Sequence, residues 1–345
     1  LTQAWFAIPG DLSTPTGGYE YARRLLRAVP QLTHLQLPGS FPHPTDADLA
    51  EVAERLAATP PDAILLVDGL ALGAFPLACL GGVRAPIVAL VHHPLYLETG
   101  LSETRRAALH ATERAALARA AHVITTSAST AALVSETFNL PGDRITIAEP
   151  GTDRAARAAG TGAPPHLLAV GAVVPRKRYD LLVEALAELR PLAWTLTIAG
   201  TLGRDAQAVA ALRGTIAAHD LTDRVMLAGT VDTATLERLY AATHVFVIAS
   251  QYEGYGMAAA EAMARGLPLV TSSAGALAAT IPDAAALKVP PGEKTALRIA
   301  LHRMLTDVAC RTRCAEASWA AGQHLPRWHD TARHVVAVLR RVRSV

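Results

Sequence analysis

Apolar residues along this chain fall into short continuous runs, and between them lie stretches where apolar positions recur every three or four residues. In the first half the runs are 4–8, 33–37, 63–67, 86–91, 122–126 and 145–148; in the second they are 166–170, 195–199, 225–228, 244–249, 269–272 and 287–289. The helical periods occupy 18–29, 46–58, 102–120 and 128–138, then 178–189, 205–219, 233–241, 256–265 and 295–305. Uninterrupted apolar strands with helices between them predict parallel sheets covered on both faces. The pattern occurs twice. The break falls at 153–165 (DRAARAAGTGAPP), which is rich in Ala, Gly and Pro and has no apolar period, a linker signature. The expected fold is therefore α/β, with two doubly wound Rossmann-like domains of parallel strands, 1–155 and 165–323, facing a ligand cleft. A further helical pattern at 310–323 must break at Pro326, and 328–342 reads as a last helix. It either caps the second domain or crosses back onto the first.

Composition narrows the class. The 345 residues are 51% hydrophobic and 18% charged, enough for two cores and unlike a disordered chain. A net charge of +2 argues against nucleic acid as a partner. Cys79, Cys310 and Cys314 cannot all pair, and no Cys/His set has zinc spacing, so reduced thiols and a cytoplasmic location are expected. No apolar run reaches the roughly 18 residues of a membrane span. Residues 1–10 lack a basic n-region and a cleavage site and read as a first strand. The basic, partly amphipathic stretch 102–120 leaves weak association with an anionic membrane surface open.

The chemistry concentrates in 250–268, SQYEGYGMAAAEAMARGLP. A buried strand leads into Glu253, then Gly254, Tyr255, Gly256 and Met257 open an alanine-rich helix that carries Glu261. Strand, glycine turn and helix N-terminus make a seat for an anion. Two flanking acids would repel a phosphate placed between them; they suit neutral hydroxyls on either side of it, as in a nucleotide sugar. If the helix starts near Gly256, Glu261 lies about 7.5 Å along its axis at roughly 1.5 Å per residue. Arg176 and Lys177 follow the strand at 166–170 and suit a diphosphate, while Arg178 opens the next helix and is expected at the surface. Gly17 and Gly18 sit in the first strand-to-helix loop, where ligand can approach backbone amides. Neither a dinucleotide fingerprint nor a phosphate loop is present. His92 and His93 end a strand, and alternation lets one of them face the crevice; Asp68 has the same placement. Asp46 and Asp48 spell D-x-D but open a helix, so capping is the expected role. Glu136 and Glu149 read as solvated.

Taken together, these pieces resemble a retaining glycosyltransferase of the GT-B fold, family four (glycosyl transferases group 1). EGYGMAAAEAMARGLPLV matches the family's Glu, seven residues, Glu signature; VGAVVPRKRYDLLVEAL matches its phosphate-clamp turn; TGGYEYARRLL, VHHP and ITIAEPGTD match more weakly. The resemblance implies an N-terminal acceptor domain, onto which the helix 328–342 packs back, and a C-terminal donor domain. It implies catalytic roles for His92, Lys177, Arg176 and Glu253, with Glu253 on donor-sugar hydroxyls. Gly17, Gly18, Gly254, Tyr255, Gly256, Met257 and Glu261 would bind the donor, Glu261 through the ribose. No metal and no cofactor is expected; the donor is a nucleotide diphosphate-sugar and the acceptor a small molecule, a glycan or a lipid-linked hydroxyl. Two departures stand out: Ala172 occupies the place of the usual clamp arginine, and Tyr255 that of a common phenylalanine. The alternatives are a silent nucleotide-sugar-binding subunit and a GT-B sugar-nucleotide epimerase.

Overall fold

A computed structural model describes residues 3–343. The chain divides into two compact units, one made of Leu1–Gly151 and Pro326–Val345 and the other of Thr152–Leu325.

The first unit contains β1 (Ala4–Pro9), β2 (Leu32–Leu37), β3 (Ile64–Asp68), β4 (Ile87–Val91), β5 (His122–Thr125) and β6 (Ile145–Ile147). Its helices are α1 (Gly17–Ala28), α2 (Asp46–Ala57), α3 (Gly69–Leu72), α4 (Glu103–Arg119) and α5 (Ala128–Phe138). The sheet runs β2-β1-β3-β4-β5-β6, all parallel. Strand alternation sends Phe6 and Ile8 into one core and Ala7 into the other, so both faces of β1 are buried. The order reverses beside β1, because the chain goes to β2 on one side and returns as β3 on the other. The crevice at such a switch point is where this class of sheet binds ligands.

The second unit repeats the scheme with β7 (His166–Val170), β8 (Thr195–Ala199), β9 (Val225–Gly229), β10 (Val245–Ile248), β11 (Leu269–Ser272) and β12 (Ala286–Val289). Its helices are α6 (Tyr179–Ala187), α7 (Ala206–Ala218), α8 (Thr233–Ala242), α9 (Met257–Ala264), α10 (Leu277–Thr280), α11 (Lys294–Thr306) and α12 (Val308–Gly322). The order is β12-β11-β10-β7-β8-β9, again parallel, with the switch between β7 and β10. Leu167 and Ala169 enter one core and Leu168 the other.

A last helix, α13 (Trp328–Arg343), belongs to the first unit. Val335, Val338 and Leu339 join the core that holds Phe6 and Ile8, and the Thr331 hydroxyl donates to the Glu149 carbonyl at 2.6 Å. Residues 153–165 differ from a plain linker: they carry no helix, but the amides of Ala158 and Gly160 donate to Arg265 and Ala241 carbonyls in the second unit. Backbone pairing there needs no apolar period, so the composition hides it. The short helices α3 and α10 were also absent from the sequence reading, since one turn leaves no periodicity to detect. Asp48 completes a capping box with Thr45 on α2. Glu149 departs from its expected solvated setting: it is half-buried, and that burial pushes its carboxyl above the usual range. All three cysteines are buried and free. No helix among the described residues is long and apolar enough to cross a membrane.

Candidate functional site

The candidate site residues from sequence gather around the carboxyl ends of the central strands, one set in each unit. In the second unit, β7 ends at Val170, and Gly171 leads to a short turn, Pro175–Lys177. β10 ends beside it and leads through Ser250 to Glu253. The Gln251 amide donates to the Arg176 carbonyl at 2.8 Å, which fixes the two loops side by side. Lys177 Nζ reaches Glu253 Oε1 at 2.6 Å, and Arg176 Nη1 lies 3.6 Å from Oε2 while donating to the Tyr252 carbonyl at 2.6 Å. Ser250 adds a hydroxyl hydrogen bond to Oε1 at 2.6 Å, and Ser272 in turn donates to the Ser250 carbonyl at 2.6 Å.

Glu253 is 8% exposed. Burial is the strongest single influence and would push its carboxyl up; the charges of Lys177 and Arg176, with the hydrogen bonds from Lys177 and Ser250, together outweigh it and hold the group at about 2. Two cations against one carboxylate leave this cluster with a surplus of one positive charge. Arg178 takes no part: it adopts a left-handed conformation, φ +50°, and turns its guanidinium to Asp180 at 3.1 Å.

The glycine turn positions the following helix. Gly256 has φ +93°, and a Cβ there would sit 2.5 Å from Leu277 Cδ2, so only glycine fits this entry into α9. Glycine caps α9 with no side-chain hydrogen bond to its first amides. Behind Glu253, Gly275 at φ +56° lies against the Glu253 carbonyl, which accepts the Ala276 amide at 2.9 Å. Tyr255 is buried and Gly254 and Met257 are half-buried around this turn. One turn further on, Glu261 accepts the Tyr240 hydroxyl at 2.9 Å. Burial first, and the negative charge of Glu261 second, raise the Tyr240 phenol so that it stays a donor.

In the first unit, α1 opens at Gly17 behind the cap Thr16. A Cβ on Gly18 would lie 3.6 Å from His92 Cδ2, which places the glycine loop against the histidine at the end of β4. His92 Nε2 is 3.5 Å from Asp68 Oδ2, and its ring meets Tyr21 edge-on at 5.1 Å. His93 turns elsewhere, to Glu98 at 3.3 Å, so one of the two histidines faces Asp68. Asp68 itself ends β3 and caps α3 through the Leu70 amide at 2.8 Å.

Tyr240, Ser250, Ser272 and Tyr21 were not found from sequence. Ser250 adjoins the signature and offered a signal by position. The other three are ordinary core residues in one dimension and meet the site only through packing.

Two doubly wound units in one chain, each with candidate chemistry at its switch point, define the GT-B class of fold. Sucrose-phosphate synthase from Thermosynechococcus elongatus shares the fold at TM-score 0.82, with 22% identity and 99% of both chains covered. HepE of Anabaena, solved with UDP and glucose, shares it at TM-score 0.76, with 16% identity over 99% of this chain and 100% of that one. The family model "Glycosyltransferase Family 4" matches residues 11–156, and "Glycosyl transferases group 1" matches 164–307. The chain belongs to this glycosyltransferase family. Among curated relatives, the D-inositol 3-phosphate glycosyltransferase of Kineococcus radiotolerans is 31% identical over 220 residues, 58% of this chain and 50% of that protein. The glycogen synthase of Mycobacterium tuberculosis is 30% identical over 247 residues, 68% of this chain and 58% of that protein. The chain spans about half the length of the curated relatives it matches.

Proposed function

We propose that this chain is a retaining, metal-independent glycosyltransferase that moves a sugar from a nucleotide diphosphate-sugar to an acceptor hydroxyl. The observation that carries the reading is the convergence of Lys177 and Arg176 on Glu253, beside the N-terminus of α9. The surplus positive charge and the helix end suit a departing diphosphate, which removes the need for a divalent ion. Glu253, held ionised, would accept donor-sugar hydroxyls, and Glu261 those of the ribose. Gly254, Tyr255, Gly256 and Met257 would supply the surrounding backbone.

The bond from the sugar's anomeric carbon to the phosphate oxygen breaks as the acceptor oxygen bonds to the same face. The leaving phosphate oxygen takes the acceptor proton, so no protein nucleophile is needed. The first unit, with His92, Gly17 and Gly18, is assigned to the acceptor side; the acceptor class is a small molecule, a glycan or a lipid-linked hydroxyl. In this reading Arg176 takes the place of the clamp arginine that is absent at Ala172, and its approach to Glu253 supports that. A cytoplasmic location belongs to the same reading, supported by three buried free thiols.

A thermal-shift screen with UDP-, GDP- and ADP-sugars tests donor binding, because a bound donor stabilises by RT ln(1 + [L]/Kd). Slow donor hydrolysis without acceptor, retention of anomeric configuration by NMR and insensitivity to EDTA are the expected results. No shift with any donor would sink the reading. Tight binding with no turnover would favour the silent subunit, which Ala172 alone recommends. Activity abolished by EDTA and restored by manganese would overturn metal independence.

A further inference from the structure

Glu113 on α4 is a buried acid that the reaction above does not use. It is 4% exposed, although acids are rarely buried without a paired cation. Its Oε1 accepts the Leu95 amide at 2.6 Å and its Oε2 the Tyr96 amide at 3.1 Å. Those two amides open the short turn Leu95–Leu97, which begins three residues after His92. On its other side the same side chain is wedged against the end of α3, where a Cβ on Gly73 would lie 2.7 Å from Glu113 Cγ. Helix α3 follows Asp68 directly. One carboxylate thus braces both strand-end loops, that of β3 with Asp68 and that of β4 with His92. The His92 carbonyl is held separately, by the Thr126 hydroxyl at 3.3 Å. Burial pushes the Glu113 carboxyl up to about 7 against the pull of the two amides, so ionising it in place is costly, and packing alone would be better served by an apolar residue.

We propose that Glu113 is a positioning residue: its two hydrogen bonds fix the backbone of the 92–97 loop and thereby set the His92 ring beside Asp68. It acts through the loop backbone and not on the substrate. The proposal rests on the glycosyltransferase reading only for the catalytic consequence.

The test uses the full chain with Glu113→Gln, which keeps the volume but presents an N–H to one of the two amides, and with Gly73→Ala. At Gly73 the backbone is ordinary, and the added methyl displaces Glu113 without removing it. Both variants should speed hydrogen exchange in the 94–98 peptide by about tenfold or more while exchange in β7 and α9 stays as in the native protein. With the best donor of the UDP-, GDP- and ADP-sugar screen, kcat should fall by about tenfold or more and donor KM should hold within about twofold. The double variant should be no slower than the slower single one. Unchanged exchange at 94–98, an unchanged kcat despite faster exchange, or multiplying losses in the double variant would each overturn the proposal. If the native protein turns over no donor, the glycosyltransferase reading fails by itself, and the exchange result alone decides whether Glu113 holds the loop.

Discussion

Glu113 in the first unit and Glu253 in the second are both buried beside strand-end loops, 4% and 8% exposed, and their acidities move apart. Burial pushes Glu113 up to about 7. Glu253 is also pushed up by desolvation and is still held at about 2. The difference lies in the partners. Glu113 meets two neutral backbone amides, which pull it down too weakly to offset burial. Glu253 meets Lys177, Arg176 and Ser250, and charge in a poorly screened pocket outweighs desolvation. One acid is built to brace backbone, the other to stay charged among cations that a diphosphate would also seek.

The largest break of this contrast is Lys177→Ala. Removing one preorganised charge should lower kcat by roughly 10²–10³ and raise the Glu253 carboxyl, seen by carbon NMR. An unchanged rate at saturating donor would take Lys177 out of the mechanism.

The next is the pH dependence of stability, where the two acids act with opposite sign. Glu113 is raised from 4.5 to about 7, so the folded state holds its proton more tightly; its contribution is complete below about pH 4.5 and lost as pH rises through 7. Glu253 is lowered from 4.5 to about 2, so its contribution is complete above about pH 4.5 and lost as pH falls through 2. Urea unfolding between pH 5 and pH 8 isolates the first. The native protein should lose stability on the order of 3 kcal/mol at most relative to Glu113→Gln across that window. Parallel curves would show that Glu113 titrates normally.

The smallest effects sharpen the second-unit site. Glu261→Ala should weaken donor binding by about 1–3 kcal/mol, and Tyr240→Phe, which removes one hydrogen bond to Glu261, by about 1 kcal/mol or less. Equal donor affinity in calorimetry for Glu261→Ala would remove it from the ribose.

Much of this was legible in one dimension. Strands inside a parallel sheet are buried on both faces and leave apolar runs, and all twelve runs became strands, including the more exposed edge strands, with ends shifted by one residue at most. The glycine turn and its two acids stood out because glycine, strand and helix start follow one another in sequence. Arg176 and Lys177 were visible as cations at a strand end, but their pairing was not: Glu253 lies 76 residues beyond Lys177. Glu113 was invisible for a related reason. On α4 it sits among Arg114, Arg119 and other polar residues, and nothing in that pattern marks it as the one that turns inward.

The sequence by itself determined the two sheets, the element order and the strand ends that carry chemistry, because periodicity and turn residues act over a few neighbours. Tertiary structure alone decided which groups share charge and which acid stays ionised. It turned His92 toward Asp68 and Gly18 while sending His93 to Glu98. It put two cations and a serine on Glu253, and two backbone amides on Glu113. Acidity depends on desolvation and on charges a few ångströms away, and those neighbours are set by packing, not by order along the chain.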